Sequence, residues 1–149
     1  MDSQRTTRVL VVEDEQDLAD IYQRHLNRLG CEVRLASTGK AALDVAADFH
    51  PDLAFVDTML PDMLGTSVVE GLRDRSPHCL VVVASGLDLD VQDTHGDAVM
   101  PKPFSGNDIA NIMDWYSGQH FDDETPVPGT AEEPAPARIK GDPAAGGAG

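Results

Sequence analysis

Apolar residues run continuously, without polar interruption, at Val9 to Val12, Leu53 to Val56 and Leu80 to Ala84. Runs of this kind suit strands covered on both faces, and each breaks off at polar groups: Glu13-Asp14-Glu15, Asp57 and Ser85-Gly86. Elsewhere the apolar positions fall at helical spacing. Leu18, Ile21, Tyr22, Leu26 and Leu29 share one face of a helix over Asp17 to Leu29, with Asp17 as its N-cap and Gly30 as its stop. Gly39 to Phe49 reads as an Ala-rich helix ended by His50-Pro51. Val68, Val69 and Leu72 mark a third helix that stops near Ser76-Pro77, and Ile109, Ile112, Met113 and Tyr116 mark a last one. Cys31, Val33 and Leu35 alternate with Glu32 and Arg34 in the manner of a sheet-edge strand, and Ala98 to Met100 is a minimal strand before Pro101-Lys102-Pro103. Leu87 to Asp97 holds too many aspartates, with too little periodicity, to be assigned a helix.

Strand and helix alternating in this rhythm call for a doubly wound, five-stranded parallel sheet with helices on both faces. The expected domain spans residues 1–120. From residue 121 the composition shifts to Pro, Ala, Gly and acid, which cannot bury enough apolar surface to order itself, so 121–149 is expected to be a disordered tail.

Composition narrows the function. The net charge is −15, with only three lysines, Lys40, Lys102 and Lys140. Six acids and two bases lie beyond His120, leaving −11 for the folded part. That sign argues against nucleic acid as a direct partner, and the acidic, lysine-poor balance resembles the surfaces of proteins from salt-loving organisms. No apolar run is long enough for a membrane span and the first residues carry no signal-peptide core, so no membrane partner and a cytoplasmic location are expected. Cys31 and Cys79 sit in apolar runs and are expected to be buried free thiols; the five histidines lack ligand spacing, so no structural zinc is expected.

The strand ends themselves carry the candidate chemistry. In a parallel sheet they meet at one rim, where ligands bind, and here they deliver Glu13 and Asp14, Asp57, Ser85 and Lys102. Asp57 alone could be an ordinary turn acid. Three carboxylates together repel unless a cation joins them, and all-oxygen donors favour a hard divalent ion, most simply Mg²⁺. A metal, a lysine and a hydroxyl around one accessible carboxylate can stabilise a transferring phosphoryl group, with that carboxylate as nucleophile.

Val-Val-Glu-Asp-Glu at 11 to 15, Asp57 with Pro61 and Gly65 behind it, Ser85 after an apolar strand, and Lys102-Pro103-Phe104 occur in this order over about residues 7 to 118. In this the chain resembles the receiver domain of two-component response regulators, with its flavodoxin-like fold. The resemblance implies that Asp57 is the phosphoacceptor, that Asp14 binds Mg²⁺ directly with Glu13 holding it through water, and that the Met59 backbone carbonyl completes the protein ligands. It implies that Ser85 hydrogen-bonds the phosphoryl group, that Lys102 pairs with it and with Asp57, and that the Lys102-Pro103 bond is cis. Its partners would be a histidine kinase or phosphotransfer protein and a downstream protein target.

Two departures stand out. The position three before the lysine is Val99, where the family usually carries an aromatic switch residue. The interval from Ser85 to Val99 is short by more than one helical turn, so the fourth helix, between the fourth and fifth strands, is expected to be shortened or missing. Phosphorylation would then be reported without an aromatic switch, through the loops after Asp57 and Ser85, the second of them Gly86 to Gly96. The leading expectation is a stand-alone phosphoacceptor switch that catalyses only its own phosphorylation and dephosphorylation. A haloacid-dehalogenase-like phosphatase needs a second acid where Met59 stands, and a phosphate-independent receiver-like interaction module is the alternative.

Overall fold

The computed structural model describes residues 6–86, 94–121 and 138–139. Five parallel strands form the sheet: β1 (Arg8–Val12), β2 (Glu32–Ala36), β3 (Leu53–Asp57), β4 (Leu80–Ser85) and β5 (Ala98–Pro101), in the spatial order β2-β1-β3-β4-β5. Four helices are described: α1 (Gln16–Arg28), α2 (Gly39–Phe49), α3 (Gly65–Arg75) and α4 (Gly106–Phe121). The doubly wound architecture expected from the apolar runs is therefore the one formed, with the half-polar β2 at the edge.

The pleat explains the two helical layers. Along β1 and β3, Val9, Val11, Leu53 and Phe55 point to one side and pack with Tyr22 and Leu26 of α1 and Ile109, Ile112 and Trp115 of α4. Leu10, Val12, Ala54 and Val56 point to the other and meet Ala42 and Ala46 of α2 and Val68, Val69 and Leu72 of α3. The first core holds an aromatic cluster in tilted contact, with the Tyr22 ring centroid 5.0 Å from Phe55 and 4.8 Å from Phe104. The second is built of Leu, Val, Ala and Cys79.

Helix ends follow local chemistry. Gly30, at φ +85, takes the left-handed position after α1, and the Cys31 amide donates back to the Leu26 carbonyl at 3.0 Å. The N-cap of α1 lies two residues earlier than expected: it is Glu15, without a side-chain cap bond, and Asp17 lies in the first turn, where its charge still favours the helix dipole. Both cysteines are free thiols, with Cys79 buried and Cys31 only half-buried, because the edge strand it precedes is covered on fewer sides.

Arg138–Ile139 form a sixth, antiparallel strand, β6, along β5, Ala98 opposite Ile139 and Val99 opposite Arg138. The tail expected to be disordered throughout thus contributes two residues to the sheet. The reason is general: β5 is an edge whose free backbone groups accept any extended segment. Most of the loop Gly86 to Gly96, and with it the expected shortening or loss of the fourth helix, falls on 87–93, outside the described residues. Where the chain resumes, Arg73 of α3 holds it. Its guanidinium lies 3.1 Å from Asp97 and donates to the His95 carbonyl at 2.9 Å, while Asp97 accepts the Val81 amide at 2.8 Å.

Candidate functional site

β1, β3 and β4 end side by side, so the residues that follow their last buried positions share the C-terminal rim. Val12 pairs with Val56, which places Glu13 next to Asp57, and the alternation that sends Val11 and Phe55 toward α1 sends Glu13 and Asp57 the same way. Asp14 follows on the exposed side. One oxygen from each of Glu13, Asp14 and Asp57 lies within 4.8 Å of the others. Such an all-oxygen donor set fits Mg²⁺, and its need for a cation is visible in Glu13, only 3% exposed.

Lys102 reaches the cluster from the loop after β5. Its Nζ stands 3.2 Å from Asp57 Oδ1 and 3.3 Å from Glu13 Oε1. The second contact is an ion pair without hydrogen-bond alignment, since Glu13 Oε1 is buried with no hydrogen-bond partner among the described residues. Glu13 Oε2 accepts the Glu15 amide at 3.1 Å. The electrostatics follow from this packing. Burial pushes the Glu13 carboxyl up to about 7, Asp57 adds to the rise, and the Glu15 amide and Lys102 oppose it. For Lys102 burial works downward, but the two carboxylates outweigh it and its pKa is raised, so it stays a cation.

The Lys102-Pro103 bond is cis, as expected. Phe104 then turns inward against Tyr22. Ser85, nearly fully buried, closes β4 one residue beyond Ala84, the strand partner of Asp57, and its carbonyl accepts the Lys102 amide at 2.7 Å. Met59 opens the loop after β3; its side chain is 65% exposed and its amide approaches Asp57 Oδ1 at 3.5 Å. Gly65 closes the same loop, its amide donating to the Thr58 carbonyl at 2.7 Å. A Cβ at Gly65 would run into the Asp57 carbonyl, so the close approach needs glycine.

The structure thus gathers Glu13, Asp14, Asp57 and Lys102 into one pocket, with Ser85 and Met59 on the flanking strand end and loop. Two residues, one behind the pocket and one on the loop that follows Asp57, went unmarked in the sequence. Tyr22 reads as one more apolar helix position, yet its hydroxyl is held neutral well above its usual range by burial and by Glu13 and Asp57. Asp62 reads as a turn acid after Pro61. Its side chain accepts the amides of Gly39 at 2.8 Å and Lys40 at 2.9 Å.

A doubly wound parallel domain with an acidic pocket at its strand ends and a lysine reaching across it defines a narrow class. Residues 9–114 match the model of the response regulator receiver domain, and the chain belongs to that family. The chain is 36% identical over 106 residues to the uncharacterized transcriptional regulatory protein YrkP of Bacillus subtilis, covering 68% of this chain and 46% of that protein. It is 33% identical over 107 residues to the alkaline phosphatase synthesis transcriptional regulatory protein PhoP of the same species, covering 68% and 45%. It therefore spans about half the length of the curated relatives it matches. Among solved structures, the CheY-like receiver domain protein from Methanospirillum hungatei superposes with a TM-score of 0.71 at 25% identity, covering 78% of this chain and 98% of that one. Receiver domains bind Mg²⁺ at an acidic pocket and interact with histidine kinases or phosphotransfer proteins.

Proposed function

We propose that this receiver domain is a phosphoacceptor switch, in which Asp57 takes a phosphoryl group from a histidine kinase or phosphotransfer protein and the change is read by contact with another protein. The observation that carries this reading is Lys102 Nζ at 3.2 Å from Asp57 Oδ1, opposite a carboxylate cluster with Mg²⁺-type donors. An Asp57 carboxylate oxygen attacks the phosphorus, a P–O bond forms as the donor's P–N bond breaks, and the imidazole leaves with the electron pair. Lys102 offsets the charge that gathers on the phosphoryl oxygens, and Ser85 donates its hydroxyl to one of them. Mg²⁺, held by Asp14, Asp57 and the Met59 carbonyl with Glu13 behind, would supply the remaining positive charge. The domain is a switch of the cytoplasm rather than a turnover enzyme, catalysing only the gain and loss of its own phosphate. No described helix is long and apolar enough to cross a membrane. The acid excess is read as adaptation to high salt.

The experiment is incubation with acetyl phosphate, with and without Mg²⁺, followed by mass-spectrometric mapping. Uptake on Asp57 alone, dependent on Mg²⁺ and abolished in Asp57→Asn, is expected. Labelling of another residue ends the proposal, and no uptake at all favours a phosphate-independent interaction module.

A further inference from the structure

In the Mg²⁺-dependent reading above, the loop from Thr58 to Leu64 has to present one backbone carbonyl, that of Met59, toward the acidic pocket. It is a small hairpin: Met59 bridges Leu64, and the Leu60 amide donates to the Met63 carbonyl at 3.1 Å. Its rims are bare, Met59 being 65% and Leu64 59% exposed. Leu60 and Met63 pack on the α2 and α3 side of the core, and the Met63 side chain lies where a Cβ of Gly39 would be. Apolar packing holds a loop down but does not aim a carbonyl, because it is non-directional.

Direction comes from Asp62 at the hairpin's tip. The first turn of α2 has amides without intrahelical acceptors. The helix's own N-cap, Thr38, satisfies the Ala41 amide through Oγ1 at 3.0 Å. Asp62 satisfies the two before it, Oδ1 accepting from Gly39 and Oδ2 from Lys40. The cap of α2 is thus shared between a local residue and one supplied by the loop behind Asp57. Both carboxylate oxygens are engaged at once, which fixes the tip in rotation as well as in distance.

We propose that Asp62 is a positioning residue of the phosphoacceptor site: by capping α2 in trans it locks the 58–64 hairpin so that the Met59 carbonyl is held in the metal-ligand position. This rests on the Mg²⁺-dependent reading above. α2 becomes part of the site's support although none of its side chains is a site residue.

The test compares Asp62→Ala, Asp62→Asn and Thr38→Ala with the wild type in calorimetric Mg²⁺ titrations. Asp62→Ala and Asp62→Asn remove the same charge, but asparagine keeps one acceptor oxygen. Alanine is expected to weaken Mg²⁺ binding about tenfold, as for groups that orient a metal ligand, and asparagine by less. Thr38→Ala, which removes the helix's own cap and leaves the loop's, is expected to lower the Tm and leave Mg²⁺ affinity unchanged. In metal-free protein, the Leu60 and Gly65 amides should exchange hydrogen faster in Asp62→Ala than in Thr38→Ala. Equal weakening by alanine and asparagine would reduce the role of Asp62 to its charge and overturn the inference. Equal weakening by Thr38→Ala, or unchanged exchange at Leu60 and Gly65, would overturn it too. A wild-type chain that takes up no Mg²⁺ refutes the phosphoacceptor reading and this inference with it. A wild-type chain that binds Mg²⁺ no better than both Asp62 variants refutes this inference alone.

Discussion

Glu13 carries an electrostatic cost that can be read out by pH. Its carboxyl titrates near 4.5 as a free group and near 7 in the fold, chiefly through burial. Between those values the folded state binds more protons than the unfolded chain, so this residue's contribution to stability falls as pH rises from about 4.5 through about 7. A divalent cation prefers the deprotonated carboxylate and moves the balance the other way. Mg²⁺ affinity is therefore expected to increase between about pH 6 and pH 8, with a proton released on binding at the lower pH. Calorimetric titrations in buffers of different ionisation enthalpy measure both, and an affinity flat over that window would mean that Glu13 does not titrate there. The charged residues of the site are legible in the sequence because each follows the end of an apolar run, a position that parallel pairing places at one rim. Asp62 is not: its partners, Gly39 and Lys40, are far away along the chain, and nothing local to a turn acid reveals which helix it will cap.

At the level of elements, the β3 to α3 connection is the least forgiving. Gly65 lies so close to the Asp57 carbonyl and Thr58 Cα that even a methyl group displaces backbone. Gly65→Ala is expected to cost about 2–3 kcal/mol, within the range of strained-backbone substitutions, seen as a lower urea midpoint at unchanged m. A loss below about 0.5 kcal/mol, the level of a neutral surface change, would show that the turn yields freely. β1, β3 and β4 are legible because their apolar runs are uninterrupted, and β2 because its alternation marks an edge. β6 is not, since Arg138–Ile139 carries no strand pattern and pairs only because the β5 edge is there to accept it.

Across the whole molecule, charge sets the conditions under which the fold is stable. Most of the net −15 belongs to residues 1–120, and like charges at that density repel until counterions screen them. The Tm is expected to climb from dilute buffer into molar KCl. A flat or falling Tm would remove the salt-adaptation reading and leave the family assignment untouched.

The unequal make-up of the two cores decides which half of the protein can be seen by light. Trp115, the chain's single tryptophan, is buried on the α1 and α4 side with Tyr22, Phe55 and Tyr116, whereas among the described residues the α2 and α3 core holds no tryptophan or tyrosine, and Phe49 at the end of α2 is buried outside both clusters. Fluorescence and near-ultraviolet dichroism therefore report on one layer, while far-ultraviolet dichroism weights all the helices. Because every central strand contributes side chains to both layers, neither can melt and leave the other its floor. Urea curves from Trp115 emission and from far-ultraviolet dichroism are expected to coincide. If the emission curve lags behind, the spectroscopically silent layer, the one that braces the Asp57 loop, loosens first.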